Sequence, residues 1–598
     1  MAEKINVTIN GHPVQADEGM TILQAAQKAG IYIPTLCYHP DLSIEGVCRI
    51  CVVEVKGQRL LCPSCAYPVT EGMEVITHSP KVRQARRMII ELLLANHPQD
   101  CLICSNNQKC ELQRLAKDQG LQEIRFKGER RDVPVDASNP SVMRNVDKCI
   151  LCKRCVRVCH EMQSVGAIFA NKRGWDTVIA PPFGKPLSEM VCVFCGQCIN
   201  RCPTGALKAK DPAPEVWEAL ADPDKHVVVQ TAPAVRAAIG EEFGMPPGSL
   251  VTGKMVTALR MMGFNKVFDT DFTADLTIIE EGNELLQRLK TGGTLPMITS
   301  CSPGWINFIE HFYPDQLPHL STCKSPQQMF GALAKTYYAQ KEGVDPAKIV
   351  VVSIMPCTAK KYESERPEMR SSGYQDVDYV LTTREAAGMM KEAGIDLPNL
   401  EESEYDLPLG MSTGAAVIFG ATGGVMEAAL RTVYEVVTGK TLENVEINAV
   451  RGMEGVREAE IDLDGTKVRA AVAHGLSNAR KVLDGIQDGT ADYHFIEIMC
   501  CPGGCLGGGG QPFPTDPEVR AKRAEAIYRQ DRELPIRKSH ENPVIKQLYA
   551  EFLGEPLGHK SHELLHTHYT ARTKKGMPRT RQQTKIETAV KTEVPAGG

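Results

Sequence analysis

The amino-acid sequence predicts a multidomain protein of the α+β and α/β classes, in which small cysteine-rich domains precede a larger, two-lobed α/β domain. The chain has 598 residues, which is too long for a single hydrophobic core. Most of its 22 cysteines lie before residue 203, where long periodic elements are scarce. After about residue 225, short apolar runs alternate with helical stretches, a pattern typical of parallel strands covered by helices.

The composition argues against several functional classes. A net charge of −5, an isoelectric point of about 6.3 and an aromatic content of 6% do not provide the basic, stacking surface of a nucleic-acid binder. No apolar run is long enough to span a membrane, and the start MAEKINVTIN does not resemble a signal peptide. We therefore expect a cytoplasmic protein without nucleic-acid or membrane partners. In that reducing compartment its cysteines would bind metal rather than form disulfides.

The first element, residues 1–78, is expected to be a β-grasp domain with a 2Fe–2S cluster. Residues 4–10 alternate as a strand, and 21–29 form a short helix. Four cysteines follow with the spacing C-x10-C-x2-C-x10-C: Cys37, Cys48, Cys51 and Cys62. They resemble the ligands of a plant-type ferredoxin, although the gaps are longer, and a zinc site is the alternative. Cys65 is left over and is interpreted as a spare buried thiol.

The second element, residues 79–118, contains a predicted helix from about Val82 to Asn96 and then four possible metal ligands. These are His97, Cys101, Cys104 and Cys110. One imidazole and three thiolates suit zinc as well as iron. The neighbouring cluster signatures favour a 4Fe–4S cluster with one histidine ligand.

The third element, residues 119–212, carries the most specific signal. The motif C-x2-C-x2-C-x3-C occurs twice, as it does in bacterial two-cluster ferredoxins. The fourth cysteine of each run crosses over to the other cluster in that fold. One 4Fe–4S cluster would therefore use Cys149, Cys152, Cys155 and Cys202. The other would use Cys192, Cys195, Cys198 and Cys159. His160 stands where proline is usual after the first run.

The fourth element, residues 213–515, is the predicted α/β domain. The apolar runs 226–230, 295–300, 348–356 and 494–499 alternate with helical stretches such as 252–262, 275–290, 325–340 and 383–393. Three runs end in cysteines, at Cys301, at Cys357 and at Cys500, Cys501 and Cys505. Ligands gather beyond the carboxyl ends of such strands, so we expect these thiols to share one crevice. A helical segment (516–570) and a flexible tail (571–598) would follow.

The segments TSCSPGW, MPCTAKKYE and EIMCCPGGCLGGGGQP resemble the three signature segments of FeFe hydrogenases. The order of the N-terminal clusters also matches the long form of that family. The resemblance implies an H-cluster, a 4Fe–4S cubane joined through a cysteine to a two-iron subcluster with CO, cyanide and azadithiolate ligands. Cys357, Cys501 and Cys505 would then bind the cubane, and Cys505 would bridge to the two-iron unit.

The sequence departs from this family at the first segment. The family usually has a proton-transfer cysteine followed by a cubane-ligand cysteine, whereas here Cys301 is followed by Ser302. Either Cys301 becomes a ligand and Ser302 relays protons, or the register holds and Ser302 or the extra Cys500 completes the cubane. Because a thiolate forms more readily than an alkoxide and suits iron better, we favour Cys301 as the ligand.

The resemblance also implies roles for residues around the centre. Lys360 would pair with a cyanide ligand. The wall of the pocket would contain Ala232, Pro233, Gln327, Met355 and Met499. A proton path would use Glu281, Glu284, Ser321 and Arg288, of which the two glutamates and the arginine share one helical face. Cys323 receives no role.

Electron partners are expected outside this chain. The sequence has no G-x-G-x-x-G motif after a strand and no P-loop. The pattern including TSCSP resembles catalytic subunits of multimeric, electron-bifurcating NAD(P)-linked hydrogenases. That resemblance implies flavin- and NAD(P)-binding iron–sulfur partner subunits, ferredoxin and H-cluster assembly proteins. Residues 535–570 resemble the small subunit of dimeric members. The alternatives are a stand-alone ferredoxin-dependent hydrogenase, a non-catalytic hydrogen sensor and an iron–sulfur scaffold protein.

Overall fold

A computed structural model of the protein describes residues 4–131, 133–463 and 465–572. Most of the predicted flexible tail, 573–598, therefore lies outside the described residues. Within the described part of the chain, no helix combines the length and the apolar character that crossing a membrane requires.

The N-terminal domain is a small mixed sheet with one helix. Its elements are β1 (Lys4–Ile9), β2 (His12–Asp17), α1 (Ile22–Lys28), β3 (Val52–Val55), β4 (Cys62–Pro63) and β5 (Glu74–Ile76). The strand order is β2-β1-β5-β3-β4, with β1 antiparallel to β2 and parallel to β5. Thr21 and Gln24 form a capping box that fixes the start of α1. The predicted strand and helix at this end are both present.

Two small cysteine-bearing regions follow with little regular structure. The first contains α2 (Pro80–Ala95) and α3 (Glu111–Asp118). The second contains β6 (Val142–Arg144), α4 (Arg154–Arg157), β7 (Phe169–Asn171), β8 (Val178–Ala180), α5 (Gln197–Asn200) and β9 (Leu207–Ala209). Strands β6 and β9 pair with each other, as do β7 and β8. Their apolar core includes several of the cysteines themselves, so bound clusters would complete it.

The large domain contains most of the described helices and about half of the described strands. Its first half has α6 (Ala213–Ala221), β10 (His226–Thr231), α7 (Pro233–Arg236), α8 (Thr252–Met261), β11 (Lys266–Asp269), α9 (Thr270–Thr291), β12 (Met297–Ile298), α10 (Pro303–Phe312), α11 (Pro326–Leu333) and α12 (Ala339–Glu342). Its second half has β13 (Ile349–Met355), α13 (Ala359–Ser364), β14 (Tyr379–Thr382), α14 (Thr383–Glu392), α15 (Gly414–Val417), α16 (Gly424–Thr438), β15 (Val456–Leu463), β16 (Thr466–His474), α17 (Leu476–Gln487) and β17 (Phe495–Met499).

Two four-stranded sheets make the predicted two lobes. The first has the order β11-β10-β13-β14 and is parallel throughout. The second has the order β12-β17-β16-β15, in which β15 runs antiparallel to β16. The sequence did not reveal this edge hairpin, because β15 alternates between buried and more exposed side chains and contains no continuous apolar run. All four predicted apolar runs form strands.

The C-terminal helices α18 (Pro517–Glu533), α19 (Pro543–Leu548) and α20 (His559–Leu565) pack against the large domain. Arg431 of α16 lies between Glu427 and Asp531, and all three side chains are fully buried. Asn542 donates to the carboxylate of Asp275 on α9 at 3.0 Å. These polar contacts fix the segment over α9, the helix that carries the predicted proton path.

Candidate metal centre and proton path

The loops after β12, β13 and β17 meet at one buried cavity with an empty volume of about 800 Å³. Strand β13 belongs to one sheet and the other two strands to the second sheet, so the cavity lies between the carboxyl ends of both lobes. The cavity is lined by six cysteines: Cys195, Cys301, Cys357, Cys500, Cys501 and Cys505. The structure thus brings together the thiols that the sequence placed at the ends of three separate apolar runs.

Three of these thiols interact with one another. Burial raises the pKa of Cys505 to about 12, and the charge of Cys501 acts in the same direction. The pKa of Cys357 is raised by burial and then by Cys501 and Cys505. Buried thiols that repel one another once ionised do not lose their protons readily. They fit iron, which takes thiolates and removes the proton. The donor set therefore fits an iron–sulfur cubane.

Cys500 lies with this group. Its thiol is within hydrogen-bonding reach of the thiols of Cys195 and Cys501. Its backbone N–H donates to Oγ of Ser302 at 3.3 Å. A Cβ placed on Gly304 would lie 2.8 Å from the Cys500 sulfur, so the absence of a side chain there makes space for this thiol.

Cys301 faces the other side of the cavity. Burial raises its pKa well above the usual value. The charge of Glu281 acts in the same direction, while that of Lys360 opposes it. The charge of Cys505 also acts on Cys301, so this thiol lies between Glu281 of the predicted proton path and the other cavity thiols. Cys301 and Cys500 both line the cavity that contains Cys357, Cys501 and Cys505.

The loop after Cys505 packs tightly against the loop that carries Cys357. A Cβ on Gly508 would collide with the carbonyl of Pro356. Gly504 has φ +76°, and a Cβ there would lie 2.7 Å from the backbone nitrogen of Thr422. Only glycine allows this approach of the two backbones. The glycines thus hold the thiols of the two lobes close together.

The polar wall of the cavity is formed by Lys360 and Gln327. The Lys360 ammonium donates to the carbonyl of Cys301 at 3.1 Å and to Glu363 at 2.8 Å. The amide nitrogen of Gln327 also donates to Glu363, at 3.1 Å. Its buried Oε1 has no hydrogen-bond partner among the described residues. The apolar wall contains four side chains predicted from the sequence, Ala232, Pro233, Met355 and Met499, and Phe419, which the sequence gave no reason to choose.

A line of hydrogen-bonding groups leads away from Cys301 along α9. Glu281 is buried, and burial raises its pKa to about 8, against the opposing effect of a hydrogen bond from Ser321. The Ser321 hydroxyl donates to Oε2 of Glu284 at 3.2 Å. Arg288 donates to Oε1 of Glu284 at 2.6 Å and ends the line. Ser321, Glu284 and Arg288 are thus joined by hydrogen bonds, and Glu281 lies beside Ser321.

The two-cluster region contains two separate cysteine-lined cavities. One is lined by Cys149, Cys152, Cys155 and Cys202. The other is lined by Cys159, Cys192, Cys195 and Cys198. This is the crossed grouping derived from the motif spacing. Cys195 also lines the large cavity described above, so one residue borders both sites.

The histidine site lies beside the two-cluster region. His97 is mostly buried, and Nδ1 contacts the carbonyl of Pro98 at 2.8 Å. Its Nε2 is buried without a hydrogen-bond partner among the described residues. An orphaned, uncharged imidazole nitrogen fits a metal ligand. The charges of Cys104 and Cys101 act on Cys110, which places these thiols near one another. The sulfur of Cys104 lies 2.9 Å from a Cβ built on Gly205, at the edge of the next domain.

The N-terminal site brings five cysteines near one another, of which four were predicted as ligands. The thiol of Cys37 accepts hydrogen bonds from Cys48 and Cys65, which lower its pKa. Cys65 also donates to Cys51. The thiol of Cys62 instead contacts the carbonyl of Leu60 at 3.7 Å. Cys62 lies on β4, and Cys65, which the sequence left over, is the thiol that contacts Cys37 and Cys51.

Comparison with protein families gives five matches along the chain. Residues 225–509 match the C-terminal domain of the iron-only hydrogenase large subunit, and residues 517–572 match the iron hydrogenase small subunit. The N-terminal part matches three iron–sulfur families. These are a 2Fe–2S cluster binding domain at 2–80, the iron–sulfur binding region of NADH-ubiquinone oxidoreductase G at 86–125 and a 4Fe–4S dicluster domain at 148–206. The predicted kinds and order of domains are confirmed.

Individual proteins give the same result. The chain is 52% identical to the NADP-reducing hydrogenase subunit HndD of Solidesulfovibrio fructosivorans, over 95% of this chain and 99% of that protein. It is 42% identical to iron hydrogenase 1 of Clostridium pasteurianum, over 94% of this chain and 99% of that protein. Among solved structures, FeFe hydrogenase HydA1 of Chlamydomonas reinhardtii matches with a TM-score of 0.55 and 46% identity. That match covers 60% of this chain and 99% of the algal one.

Proposed function

The chain belongs to the iron-only hydrogenase family, and from this premise we propose that it is the catalytic subunit of an NAD(P)-linked hydrogenase complex. The proposed reaction is 2H⁺ + 2e⁻ ⇌ H₂ at an H-cluster. One observation carries the proposal. Thiols from three strands of two sheets line a single buried cavity, which also contains a lysine and adjoins a line of acidic groups.

We assign the cubane to four thiols, those of Cys357, Cys500, Cys501 and Cys505, with Cys505 as the bridge to the two-iron unit. When bound, the H-cluster supplies the redox chemistry that combines protons with electrons. The protein orients it and keeps bulk water out. Lys360, already fixed by Glu363, supplies a positive charge on the cavity wall, and Gln327 offers an unpaired amide oxygen there.

The protein moves protons between the cavity and its surface. Cys301 is the residue of the line that reaches the cavity, and it exchanges a proton with Glu281. Because the pKa of Glu281 is about 8, its carboxyl holds a proton at neutral pH and can give it up without a large cost. The Ser321 hydroxyl passes the proton between Glu281 and Oε2 of Glu284.

Electrons reach the cavity through the N-terminal clusters. We propose one 2Fe–2S cluster, held by Cys37, Cys48, Cys51 and Cys65, and three 4Fe–4S clusters. One of the three uses His97, Cys101, Cys104 and Cys110, and the other two use the crossed sets of the two-cluster domain. Cys195 supports this route, because it lines both a cluster cavity and the cavity of the catalytic site. Adjacent cavities allow single electrons to pass over short distances.

Partner subunits would connect this chain to its electron carriers. The relative from Solidesulfovibrio fructosivorans is named a subunit of an NADP-reducing hydrogenase and matches along nearly the whole chain. We therefore propose flavin- and NAD(P)-binding iron–sulfur partners, exchange with ferredoxin, insertion of the two-iron unit by assembly proteins, and a cytoplasmic location. A stand-alone ferredoxin-dependent hydrogenase is the second candidate, because the similarity to iron hydrogenase 1 of Clostridium pasteurianum extends equally far.

The function is tested on protein purified without oxygen from its native host, together with the subunits that accompany it. We expect infrared bands of CO and cyanide ligands, and reduction of a viologen dye that depends on H₂. The complex should also reduce NAD or NADP with H₂. Reduction of ferredoxin alone by the isolated chain would support the stand-alone enzyme. Absence of both the infrared bands and dye reduction would refute a hydrogenase and favour a scaffold protein.

The fourth ligand is tested on chain produced without the assembly proteins of the two-iron unit. Cys500→Ala should lower the iron content by about four atoms per chain, because a cubane with only three ligands is lost. Ser302→Ala and Cys301→Ala are the matched controls and should retain that iron. If Cys301→Ala loses the iron and Cys500→Ala keeps it, the assignment is wrong and Cys301 is the ligand.

A further inference from the structure

His566 links the C-terminal segment to the line of proton-carrying groups. It follows α20 and forms an isolated β-bridge with Cys323. The backbone N–H of Thr567 donates to the carbonyl of Thr322 at 2.8 Å, and that of Lys324 donates to Leu565 at 2.8 Å. These backbone contacts hold the imidazole against residues 321–324, and the side chain is only 4% exposed.

Thr322 joins His566 to the predicted proton path. Its hydroxyl donates to Oε2 of Glu284 at 3.1 Å and contacts Nδ1 of His566 at 2.8 Å. The backbone N–H of Thr322 also donates to Glu284, at 3.0 Å from Oε2. A hydroxyl can accept one proton while it donates another, so Thr322 has the chemistry and the position of a relay between Glu284 and His566.

The second ring nitrogen of His566 meets another carboxylate. Nε2 lies 3.1 Å from Oε2 of Glu280, which is fully buried. Glu280 also accepts from the hydroxyls of Tyr549 and Ser561, and from the backbone N–H of Leu557 at 2.9 Å. Burial alone would raise the pKa of Glu280, but its hydrogen bonds, with that of His566 foremost, lower it. Glu280 is thus a fixed negative partner for an imidazolium.

These contacts define how a proton would move. With His566 protonated, Nδ1–H donates to Thr322, Thr322 donates to Glu284, and Nε2–H donates to Glu280. Transfer of the Nδ1 proton to Thr322, with transfer of the Thr322 proton to Glu284, leaves a neutral imidazole and a protonated Glu284. Only O–H and N–H bonds form and break, and no electron is transferred. The reverse sequence releases a proton from Glu284.

The two ends of the path differ in their ability to exchange protons. Arg288 remains protonated, and its donors are directed at Glu284 and at the carbonyls of Thr294, Pro318, His319 and Leu320. It can therefore position Glu284 but cannot titrate. The ring of His566 lies 4.2 Å from that of His562, which is exposed. An imidazole, unlike a guanidinium, can both take up and release a proton.

We propose that Thr322 and His566 form a second proton branch at Glu284, in which the C-terminal segment supplies the catalytic domain with a buried imidazole that takes up and returns protons. The proposal rests on the proposed hydrogenase function. Groups that face His566 from the surrounding elements also influence its charge. They are Glu280 and Glu284 on α9, Cys323 on the paired segment and His562 on α20.

The branch is tested with two substitutions of Thr322 in the full chain loaded with its H-cluster. Thr322→Val keeps the shape and the backbone hydrogen bonds but removes the hydroxyl, whereas Thr322→Ser keeps the hydroxyl. We expect Thr322→Val to slow dye-linked H₂ oxidation by about threefold to tenfold, with a larger solvent deuterium isotope effect. Thr322→Ser should restore both values. Equal rates and isotope effects in the two variants would overturn the proposal.

His566→Gln tests the acceptor at the other end of the same branch. It should reproduce the slower rate of Thr322→Val, and the double variant should be no slower than either single one, because both changes interrupt one route. A double variant with multiplied losses would contradict a shared route. Melting temperatures and the CO and cyanide infrared bands show whether each variant retains its fold and H-cluster.

Glu284→Gln separates this proposal from the proposed function on which it rests. If the hydrogenase proton path is correct, Glu284→Gln should lose most of its activity while the infrared bands remain. An inactive Glu284→Gln together with a normal Thr322→Val would reject the His566 branch alone. A fully active Glu284→Gln would reject the proton path itself, and with it the branch.

Discussion

Glu281 provides the strictest test of the proton path, because its role follows from its burial. The side chain is 1% exposed, and Oε1 has no hydrogen-bond partner among the described residues. Glu281→Gln has nearly the same shape and can still bond with Ser321, but it cannot donate or accept a transferable proton. Loss of a general acid typically costs about 10²- to 10⁴-fold in rate, and we expect H₂ oxidation and H₂ production to fall by that factor.

The same substitution should increase stability at high pH. The pKa of Glu281 is raised from 4.5 to about 8. That difference corresponds to about 5 kcal/mol of preference for the protonated form in the fold. The resulting stability is fully present below pH 4.5 and is lost as the pH rises to about 8, because over that range the carboxyl is ionised in the unfolded chain but still protonated in the fold. Glutamine is neutral at every pH, so the variant should not show this loss.

Thermal unfolding at pH 6 and pH 9 measures the second effect, and dye-linked activity measures the first. The wild-type melting temperature should fall more than that of Glu281→Gln between the two pH values. Glu281→Asp is the control, since its shorter carboxyl retains a proton to give and should keep part of the activity. A Glu281→Gln variant that turns over normally, or that loses stability with pH as the wild type does, would refute the reasoning.

Three further predictions concern the clusters and the C-terminal segment. Cys65→Ser should abolish the electron paramagnetic resonance signal of the reduced 2Fe–2S cluster, whereas Cys62→Ser should retain it; the reverse result would restore the ligand set expected from the sequence. His97→Ala should change or remove one 4Fe–4S signal while dye-linked activity persists, and an unchanged spectrum would exclude His97 as a ligand. Arg431→Met should cost about 1–3 kcal/mol of stability, because Asp531 keeps only its more exposed partner Arg537 and loses the fully buried hydrogen bonds of Arg431. The measurements are the melting temperature and the rate of proteolysis of the C-terminal segment; an unchanged melting temperature would contradict this.

The parts of the structure that depend on local spacing could be predicted from the sequence. The repeated C-x2-C-x2-C-x3-C motif fixes its own geometry, because each run is too short to adopt many shapes around a cubane. The four apolar runs of the large domain also became strands, since a buried parallel strand needs continuous apolar residues. The hairpin that contains β15 could not be found in this way, because one face of β15 is more exposed and its sequence alternates.

The choice between neighbouring cysteines could not be made from spacing. Cys62 and Cys65 are three residues apart, and either could complete the N-terminal site. The decision depends on β4, which pairs Cys62 with Val53 and fixes the directions of the side chains that follow. A two-residue strand has too weak a pattern to be recognised in a sequence. Tertiary structure, rather than the order of ligands, therefore decides this site.

Cys500 illustrates the same limit at the catalytic site. Residues 302 and 500 are far apart in the chain, yet the backbone N–H of one bonds with the hydroxyl of the other, and the two residues line one cavity. The sequence departs from the family pattern at two separate places. It has a serine where a ligand is expected, and an additional cysteine in another segment. Their contact in the structure supports the proposal that they are one exchange, in which the loop after β17 supplies the sulfur missing from the loop after β12. Under that proposal Cys301 stays beside Glu281 and available for proton transfer, a role it could not fill as an iron ligand.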